Sequence, residues 1–400
     1  MSKTSRPWPG LRPAWVEVDL DAIAGNVRRL VTEVAPAQLM AVVKADAYGH
    51  GAVPVARAAI AAGGARWLGV ALVEEALELR EAGISAPILV LSEPHPAAAD
   101  LCVDQRIAVT LCTQAGVRVF GMAGRLAGRP VPAHLKVDTG MHRQGCAPAD
   151  LPELVRLAMA ERGLEVEGLW SHFAVADEPA AAATTDRQVE TFERALAVAS
   201  EQGLVPRWRH IANSAGATLR ADARFDMVRV GIELYGLAPA PALTGEVNQR
   251  LRPALALRAA VSAVRAIEAG ERVSYGHRWA APSATRIATL PVGYADGVRR
   301  GLSGQIRVLL GERNLGQVGT ITMDQLMVDI GDAPIEVGEV ATLLGDPARG
   351  EPGVGEWARV LGSIDYEVTC GLSPRLPRVH DHGSHSGGER RHVLMGEARG

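Results

Sequence analysis

The sequence lacks long apolar runs, since no stretch approaches the roughly 18 apolar residues that a membrane-spanning helix requires. It also lacks an excess of either charge, because 42 basic and 45 acidic residues leave a formal net charge of -3. A near-neutral balance gives no electrostatic basis for binding nucleic acid or a membrane surface. The remaining composition, 48% hydrophobic and 22% charged, is ordinary for a soluble enzyme of one large domain and a companion.

Cysteine is also scarce, and the sequence contains no CxxC pair. The first 13 residues contain three prolines and several basic residues but no apolar segment typical of a secretory signal. We therefore predict a cytoplasmic protein with reduced thiols and a flexible lead over residues 1–13. The scattered cysteines are Cys102, Cys112, Cys146 and Cys370.

A repeating unit occupies the chain from residue 41 onward: a short apolar run, a polar or glycine turn, and an alanine-rich helical stretch. Eight buried strands that alternate with helices are typical of a (β/α)8 barrel, an α/β fold of the TIM type. An open doubly wound sheet is the alternative, but it requires a glycine fingerprint that residues 44–47 do not provide. The runs are 41–44, 67–72, 87–91, 107–111, 133–137, 166–172, 208–212 and 225–230.

The pattern changes near residues 239–241, a Pro-Ala-Pro segment. Beyond it, apolar residues alternate with a period of two between glycine-containing turns, which indicates an antiparallel β-domain. We predict the barrel over residues 14–245, the β-domain over 246–380 and a flexible tail over 381–400. The tail region holds His380, His382 and His385, but the segment has few hydrophobic residues and no supporting shell, so we predict disorder and no metal site.

The stretch 41–51 is the most informative part of the sequence, because an apolar strand ends there at Lys44 and passes into a turn with two glycines. Partial desolvation at such a strand end favours the neutral amine that a carbonyl cofactor needs for a Schiff base. Tyr48 lies one short turn away, where its phenol could reach a phosphate. A salt bridge between Lys44 and Asp46 is the alternative interpretation.

Other polar residues also follow the predicted barrel strands, at the ends where barrels of this kind carry their active sites. Each alone has a structural explanation: His172 could be a buried core histidine, and Arg229 could pair with Asp226 or Glu233. Together they suit one site, since loops after strands seven and eight commonly bind phosphate. These residues are Lys136, Arg143, His172, Asn213, Ser214, Arg229, Gly231 and Ile232.

Nine motifs together resemble those of the alanine racemases, pyridoxal phosphate (PLP) enzymes of fold type III. The resemblance extends over roughly residues 13–380. The barrel motifs are VVKADAYGHG (42–51), HLKVDTGMHR (134–143), SHFA (171–174), ANSA (212–215) and VRVGIELYGL (228–237); the later ones are VSYGHRW (273–279), PVGYADG (291–297), TMDQ (322–325) and IDYEV (364–368).

The resemblance implies interconversion of L-alanine and D-alanine by two bases, supplying D-alanine for cell-wall peptidoglycan. Lys44 would act on one face of the substrate Cα and Tyr275 of the partner subunit on the other. A head-to-tail homodimer with shared active sites follows, in which Met323 of the partner subunit also reaches the site. One departure from the motifs is Thr322, where many relatives carry cysteine.

The resemblance also implies how the cofactor is held. Arg229 would face the pyridine nitrogen with support from His172, and Arg143 would bind the phenolic oxygen and help receive the substrate carboxylate. Lys136 would be carbamylated, which converts a cation into an anion that orients Arg143; an ion pair between Lys136 and Asp138 is the alternative. The phosphate would be held by Tyr48, Asn213, Ser214, Gly231, Ile232 and Tyr366.

Two other functions compete with this prediction. A fold-type-III decarboxylase would resemble a pattern with a glycine-triple phosphate loop and a catalytic cysteine in the β-domain, and only Cys370 lies there. A PLP-carrier protein without catalysis would resemble the barrel alone, so the long second domain with Tyr275 argues against it.

Overall fold

The computed structural model describes residues 8–382. The chain divides into two units, one of residues Ala24–Leu234 and one that joins the residues up to Ile23 with those from Tyr235 onward. Strand β1 (Ala14–Asp19) leads directly into helix α1 (Leu20–Val34), which crosses the boundary between the units.

Eight parallel strands form a nearly closed barrel in the unit Ala24–Leu234 and confirm the predicted fold class. Their order is β8-β7-β6-β5-β4-β3-β2-β9, and the first and last are bridged because Arg229 N donates to Ala212 O at 3.0 Å. The strands are β2 (Gln38–Val42), β3 (Ala65–Val70), β4 (Ile88–Val90), β5 (Ala108–Leu111), β6 (Val131–Lys136), β7 (Leu164–Trp170), β8 (Trp208–His210) and β9 (Met227–Val230).

Helices follow the barrel strands and bury one face each. Each Val or Leu side chain that this packing fully buries contributes about 1.5–3 kcal/mol. Side chains begin two of them: Thr113 accepts from Gly116 N and Asn213 from Gly216 N, both at 2.9 Å. The helices are α2 (Lys44–Gly49), α3 (Ala52–Ala61), α4 (Val73–Glu81), α5 (Ala99–Asp104), α6 (Gln114–Leu126), α7 (Leu151–Ala160), α8 (Ala182–Glu201) and α9 (Ser214–Leu219).

The second unit contains a nine-stranded, mostly antiparallel sheet in the order β11-β14-β17-β16-β15-β18-β10-β1-β19. Strands β12 and β13 form a separate pair. The strands are β10 (Leu255–Ala260), β11 (Ala263–Ile267), β12 (Arg272–Val273), β13 (Trp279–Ala280), β14 (Thr285–Leu290), β15 (Arg307–Leu310), β16 (Arg313–Val318), β17 (Leu326–Asp329), β18 (Val340–Leu344) and β19 (Arg378–Asp381); the helices are α10 (Thr244–Arg250), α11 (Val354–Leu361) and α12 (Asp365–Cys370).

The first strand lies outside the barrel, although the barrel was predicted over residues 14–245. Strand β1 pairs antiparallel with β10 and parallel with β19, so it belongs to the sheet of the second unit. Strand alternation alone does not reveal this, because the pairing partner lies more than 200 residues away along the chain.

The ends of the chain are also more ordered than predicted within the described residues. Arg12, placed in the predicted lead, makes a bidentate ion pair of 2.8 and 2.9 Å with the buried carboxylate of Asp296. Asp381 closes β19, and the predicted tail beyond His382, including His385, lies outside the described residues. Among residues 8–382, no helix combines the length and apolar character needed to cross a membrane.

Candidate active site

Lys44 is separated from the end of β2 by one residue and begins a turn of unusual handedness. The next four residues, 45–48, have φ between 51° and 55°, although none of them is glycine. Each left-handed residue of this kind costs on the order of 1 kcal/mol, so surrounding contacts must hold the turn. Two backbone bonds do so: Ala47 N donates to Val43 O and Gly51 N to Asp46 O, each at 2.9 Å.

The carboxylate of Asp46 belongs to this framework. Its Oδ1 accepts from Ala52 N at 2.7 Å, which begins helix α3. The same turn brings Tyr48 into a buried position, with 7% of its surface exposed.

Tyr48, Ser214 and Gly231 converge at the ends of strands β2, β8 and β9. A Cβ atom at Gly231 would lie 2.3 Å from the Tyr48 phenolic oxygen, so only glycine leaves room there. Gly231 N donates to Ser214 Oγ at 3.0 Å, and the next residue, Ile232, is buried. Two hydroxyl groups and an unhindered backbone thus meet at one place.

Arg229 lies in the barrel interior and is surrounded by hydrogen-bond acceptors. Its guanidinium donates to the carbonyls of Ser171 (2.8 Å) and Ile211 (3.0 Å) and to Nδ1 of His172 and of His210 (2.9 Å each). Arginine has donors only, so both rings must accept at Nδ1 and carry their proton on Nε2. The two ring orientations are therefore set by one cation.

The predicted alternative partners of Arg229 are wrong. Asp226 pairs with Arg209 at 2.6 Å, and Glu233 accepts from the Thr218 hydroxyl at 2.8 Å. In the part of the chain from residue 8 to 382, no carboxylate pairs with Arg229. Burial and the charge of Arg143 lower the Arg229 pKa to about 9, which leaves it protonated at neutral pH.

The histidine chain continues inward, which sequence reasoning missed. Because His210 carries its proton on Nε2, it donates to Nδ1 of His134 at 2.9 Å. Gly168 makes the space, since a Cβ there would lie 2.3 Å from that nitrogen. Burial, followed by the charge of Arg229, lowers the pKa of His134 to about 3 and that of His210 well below its usual value. Both rings are therefore neutral. The one signal in the sequence that could have indicated this chain of histidines was their position on inward-facing alternate residues.

Lys136 is a second buried cation in the same strand as His134. Its Nζ lies 4.2 Å from the centroid of the Trp170 ring, and only 3% of the residue is exposed. Burial, followed by the charges of Arg229 and Arg143, lowers its pKa to about 8. A neutral amine is therefore accessible near physiological pH.

The predicted ion pair between Lys136 and Asp138 is absent from the described part of the chain. Asp138 Oδ1 instead accepts from the backbone N–H groups of Gly140 (2.9 Å), Met141 (3.0 Å) and His142 (3.1 Å). These bonds lower the pKa of Asp138 despite its partial burial. The carboxylate holds the loop that carries Arg143, and its attraction for Lys136 is weaker than the repulsion by Arg229 and Arg143.

The positive charges of this unit converge on His172. Burial first, and then the charges of Arg229, Arg143, Lys136 and Lys44, lower its pKa well below the usual value. The four cations therefore all lie within electrostatic range of His172. The site favours anionic ligands, because four cations act on one buried group there.

The remaining predicted residues lie in the second unit. Tyr275 is 74% exposed, and its carbonyl accepts from the Thr320 hydroxyl at 2.7 Å. Met323 is 52% exposed, and Tyr366 is half-buried in α12. The Thr322 hydroxyl donates to Gln325 O at 2.9 Å, so this side chain holds the turn at residues 322–325.

Asp365, the residue before Tyr366, provides a test of this region. Burial raises its pKa to about 6, and the N–H of Ala238 only partly offsets this. Its contribution to stability is complete below about pH 4 and is lost as the pH rises through about 6. We expect Asp365→Asn to raise the free energy of unfolding at pH 8 by about 2–3 kcal/mol, and by about half as much at pH 5.

Thermal unfolding at both pH values measures this effect. Asp100→Asn, at an exposed position, is the control and should shift Tm equally at both. A gain for Asp365→Asn that does not depend on pH would contradict the assigned titration.

The fold and this cluster define an enzyme of the (β/α)8-barrel class with a separate β-domain. Comparison with known proteins identifies the family. Residues 18–239 match the family described as alanine racemase, N-terminal domain, and residues 254–380 the alanine racemase, C-terminal domain.

Whole proteins and solved structures agree. The chain is 46% identical to an alanine racemase of Symbiobacterium thermophilum (93% of this chain, 98% of that one) and 45% to one of Thermobifida fusca (92% and 98%). Alanine racemase structures from D-cycloserine-producing Streptomyces lavendulae (TM-score 0.89, 42% identity, 94% and 98%) and Bacillus anthracis, the latter with bound L-Ala-P (0.87, 35%, 96% and 98%), match as well. The chain belongs to the alanine racemase family and is an amino-acid isomerase.

Proposed function

We propose that this chain interconverts L-alanine and D-alanine with PLP as its cofactor, in the cytoplasm, to supply D-alanine for peptidoglycan. The observation that carries the proposal is the setting of Arg229, a buried guanidinium held by four acceptors and no carboxylate within the described residues. Such a group can donate to an unprotonated pyridine nitrogen without protonating it, because the guanidinium keeps its proton at neutral pH even with its pKa lowered to about 9.

The residues at the strand ends fit this cofactor. Lys44 would hold it covalently through Nζ, and Arg143 would bind its phenolic oxygen. Gly231 leaves a cradle that a Cβ would fill, beside the hydroxyls of Tyr48 and Ser214. The phosphate would be bound by Tyr48, Ser214, Gly231, Ile232 and Tyr366, with Asn213 holding the turn of α9.

When bound, the cofactor supplies an electron-accepting ring that acidifies the Cα proton of the substrate. Arg229 keeps that withdrawal weak, which favours return of the proton over transamination or decarboxylation. Inversion needs a base on each face of the planar carbon, since one base would have to move around it. Lys44 Nζ would take the proton on one face, and the phenol of Tyr275 of the partner subunit would serve the other.

The exposure of Tyr275 supports a shared site. A phenol that is 74% exposed in a single chain is available to a second subunit, as is Met323 at 52%. We propose a head-to-tail homodimer in which both residues complete the site of the other chain. The cations near His172, assisted by Met323 of the partner subunit, would receive the alanine carboxylate at Arg143.

An assay of purified protein tests the function. We expect the optical rotation of L-alanine to decay to zero without release of CO2, and yellow colour from bound PLP. Release of CO2 would favour the decarboxylase, and colour without either reaction would favour a carrier. A panel of amino acids, serine above all, measures how strictly alanine is preferred.

We further propose that Lys136 is carbamylated. A pKa of about 8 leaves roughly a tenth of the amine neutral at pH 7. Its Nζ would form a bond to the carbon of CO2 and release one proton, which replaces a cation by an anion beside Arg143. The charge of the group then offsets Arg229 and Arg143, whose proximity disfavours an ammonium ion.

Carbon-13 NMR tests this proposal sharply, since the sequence has only three lysines, Lys3, Lys44 and Lys136. In 13C-bicarbonate we expect a carbamate signal that Lys136→Ala loses and Lys3→Ala retains. Lys136→Ala should lower kcat/KM about 10- to 100-fold by leaving Arg143 without its anion, and short carboxylates should partly restore it. Loss of activity without any carbamate signal or rescue would contradict an anionic role.

A further inference from the structure

One carboxylate connects the turn after Lys44 to the neighbouring strand end. Glu75, in the first turn of α4, accepts from Ala45 N through Oε1 at 2.6 Å. Its Oε2 accepts from Ala71 N at 2.7 Å and Leu72 N at 3.1 Å. A single side chain thus satisfies three backbone donors from two parts of the barrel.

Local helix capping explains only part of this arrangement. A glutamate three residues into a helix commonly accepts from the residue that precedes the helix, as Glu75 does from Leu72. The bond to Ala45 crosses 30 residues of sequence and serves no purpose in α4. Ala45 is the first left-handed residue after Lys44, and among the described residues its N–H has Glu75 as its acceptor.

The bond from Ala45 to Glu75 matters because the turn at residues 45–48 is strained. Residues 45–48 are held by a few backbone bonds, and they fix both the peptide that leaves Lys44 and the position of Tyr48. Hydrogen bonds to a charged acceptor are stronger than neutral ones. Removing the acceptor of the first donor should therefore loosen the turn at the end that carries Lys44.

We propose that Glu75 is a positioning residue that acts through the Ala45 N–H to hold Lys44 for proton transfer. The inference rests on the role proposed for Lys44. Glu75 touches no substrate; its carboxylate fixes the main chain on which the base is mounted. Small displacements of a base cost rate far more than they cost binding.

The chain offers a matched control at another strand end. Glu93 accepts from Cys112 N, Thr113 N and the Thr113 hydroxyl, next to helix α6. Like Glu75, it uses both carboxylate oxygens on three donors. It does not contact the turn at residues 45–48, so its loss should lower stability alone.

The experiment compares Glu75→Gln with Glu93→Gln in the full-length protein. Glutamine keeps one acceptor oxygen, but its amide N–H groups replace the other. It therefore cannot accept from all three of the backbone donors that Glu75 holds. Hydrogen exchange in the peptide that spans residues 43–51 should become about tenfold faster in Glu75→Gln and stay unchanged in Glu93→Gln. We expect kcat to fall about tenfold for Glu75→Gln with KM within about twofold, while Tm falls similarly in both.

Equal exchange and equal kcat in the two variants would overturn the proposal. Should Glu75→Gln be insoluble, Glu75→Asp serves instead: its shorter side chain retains the charge near Ala71 and Leu72 but does not reach Ala45. The exchange measurement needs no activity. A wild-type protein without racemase activity would thus refute the proposed function, whereas unchanged exchange in Glu75→Gln would refute the positioning role of Glu75.

Discussion

Replacing Lys44 by alanine should abolish the visible absorbance of covalently bound cofactor and lower racemase activity by about 10⁴-fold or more. The loss combines two roles, the covalent attachment and one of the two bases. Borohydride reduction followed by peptide mapping identifies the attached lysine among the three in the sequence. Lys136→Ala is the control and should keep the absorbance, and a label on Lys3 or Lys136 would refute the assignment.

The second large effect is expected at Tyr275. Tyr275→Phe removes only the hydroxyl and should lower kcat/KM by about 10²–10⁴-fold, the usual contribution of a general base. Both directions of racemisation must fall equally, since the equilibrium constant of two enantiomers is fixed. The asymmetry appears in deuterated water: exchange of the α-proton should persist for one enantiomer of alanine and nearly stop for the other.

Mixing two inactive variants tests the shared site. In a mixed dimer, the Tyr275→Phe subunit retains Lys44 and the Lys44→Ala subunit retains Tyr275. One of the two sites would therefore contain both intact residues. Random reassociation should restore about a quarter of the wild-type activity, because half of the dimers are mixed and each has one intact site. Equal loss of exchange for both enantiomers, or no restored activity, would contradict the two-base dimer.

Much of the barrel could be predicted from the sequence because parallel strands are buried on both faces. The strand Ile88–Val90, for example, is apolar and buried at every position, and Met227–Val230 is buried throughout around one charged residue, Arg229. Strand β1 could not be assigned in this way. Its alternating pattern fits either unit, and only the pairing with β10 and β19 decides between them.

The residues of the candidate site remain predictions from the sequence, and their geometry could not be predicted from it. The turn at residues 45–48 contains no glycine, so the sequence of Ala45, Asp46 and Ala47 does not indicate a left-handed backbone. The series of hydrogen bonds from Arg229 through His210 to His134 could likewise not be predicted from the sequence. Alternation tells which side chains face inward, whereas the distances between strands decide which of them meet.

The position of β1 between β10 and β19 has a consequence for biosynthesis. The barrel, residues 24–234, is continuous and can fold while the ribosome is still translating the second half of the chain. The first strand must wait, because its neighbours are the strand at residue 255 and the strand that ends at residue 381. One edge of β1 therefore has no strand partner until the chain has been synthesised as far as β19.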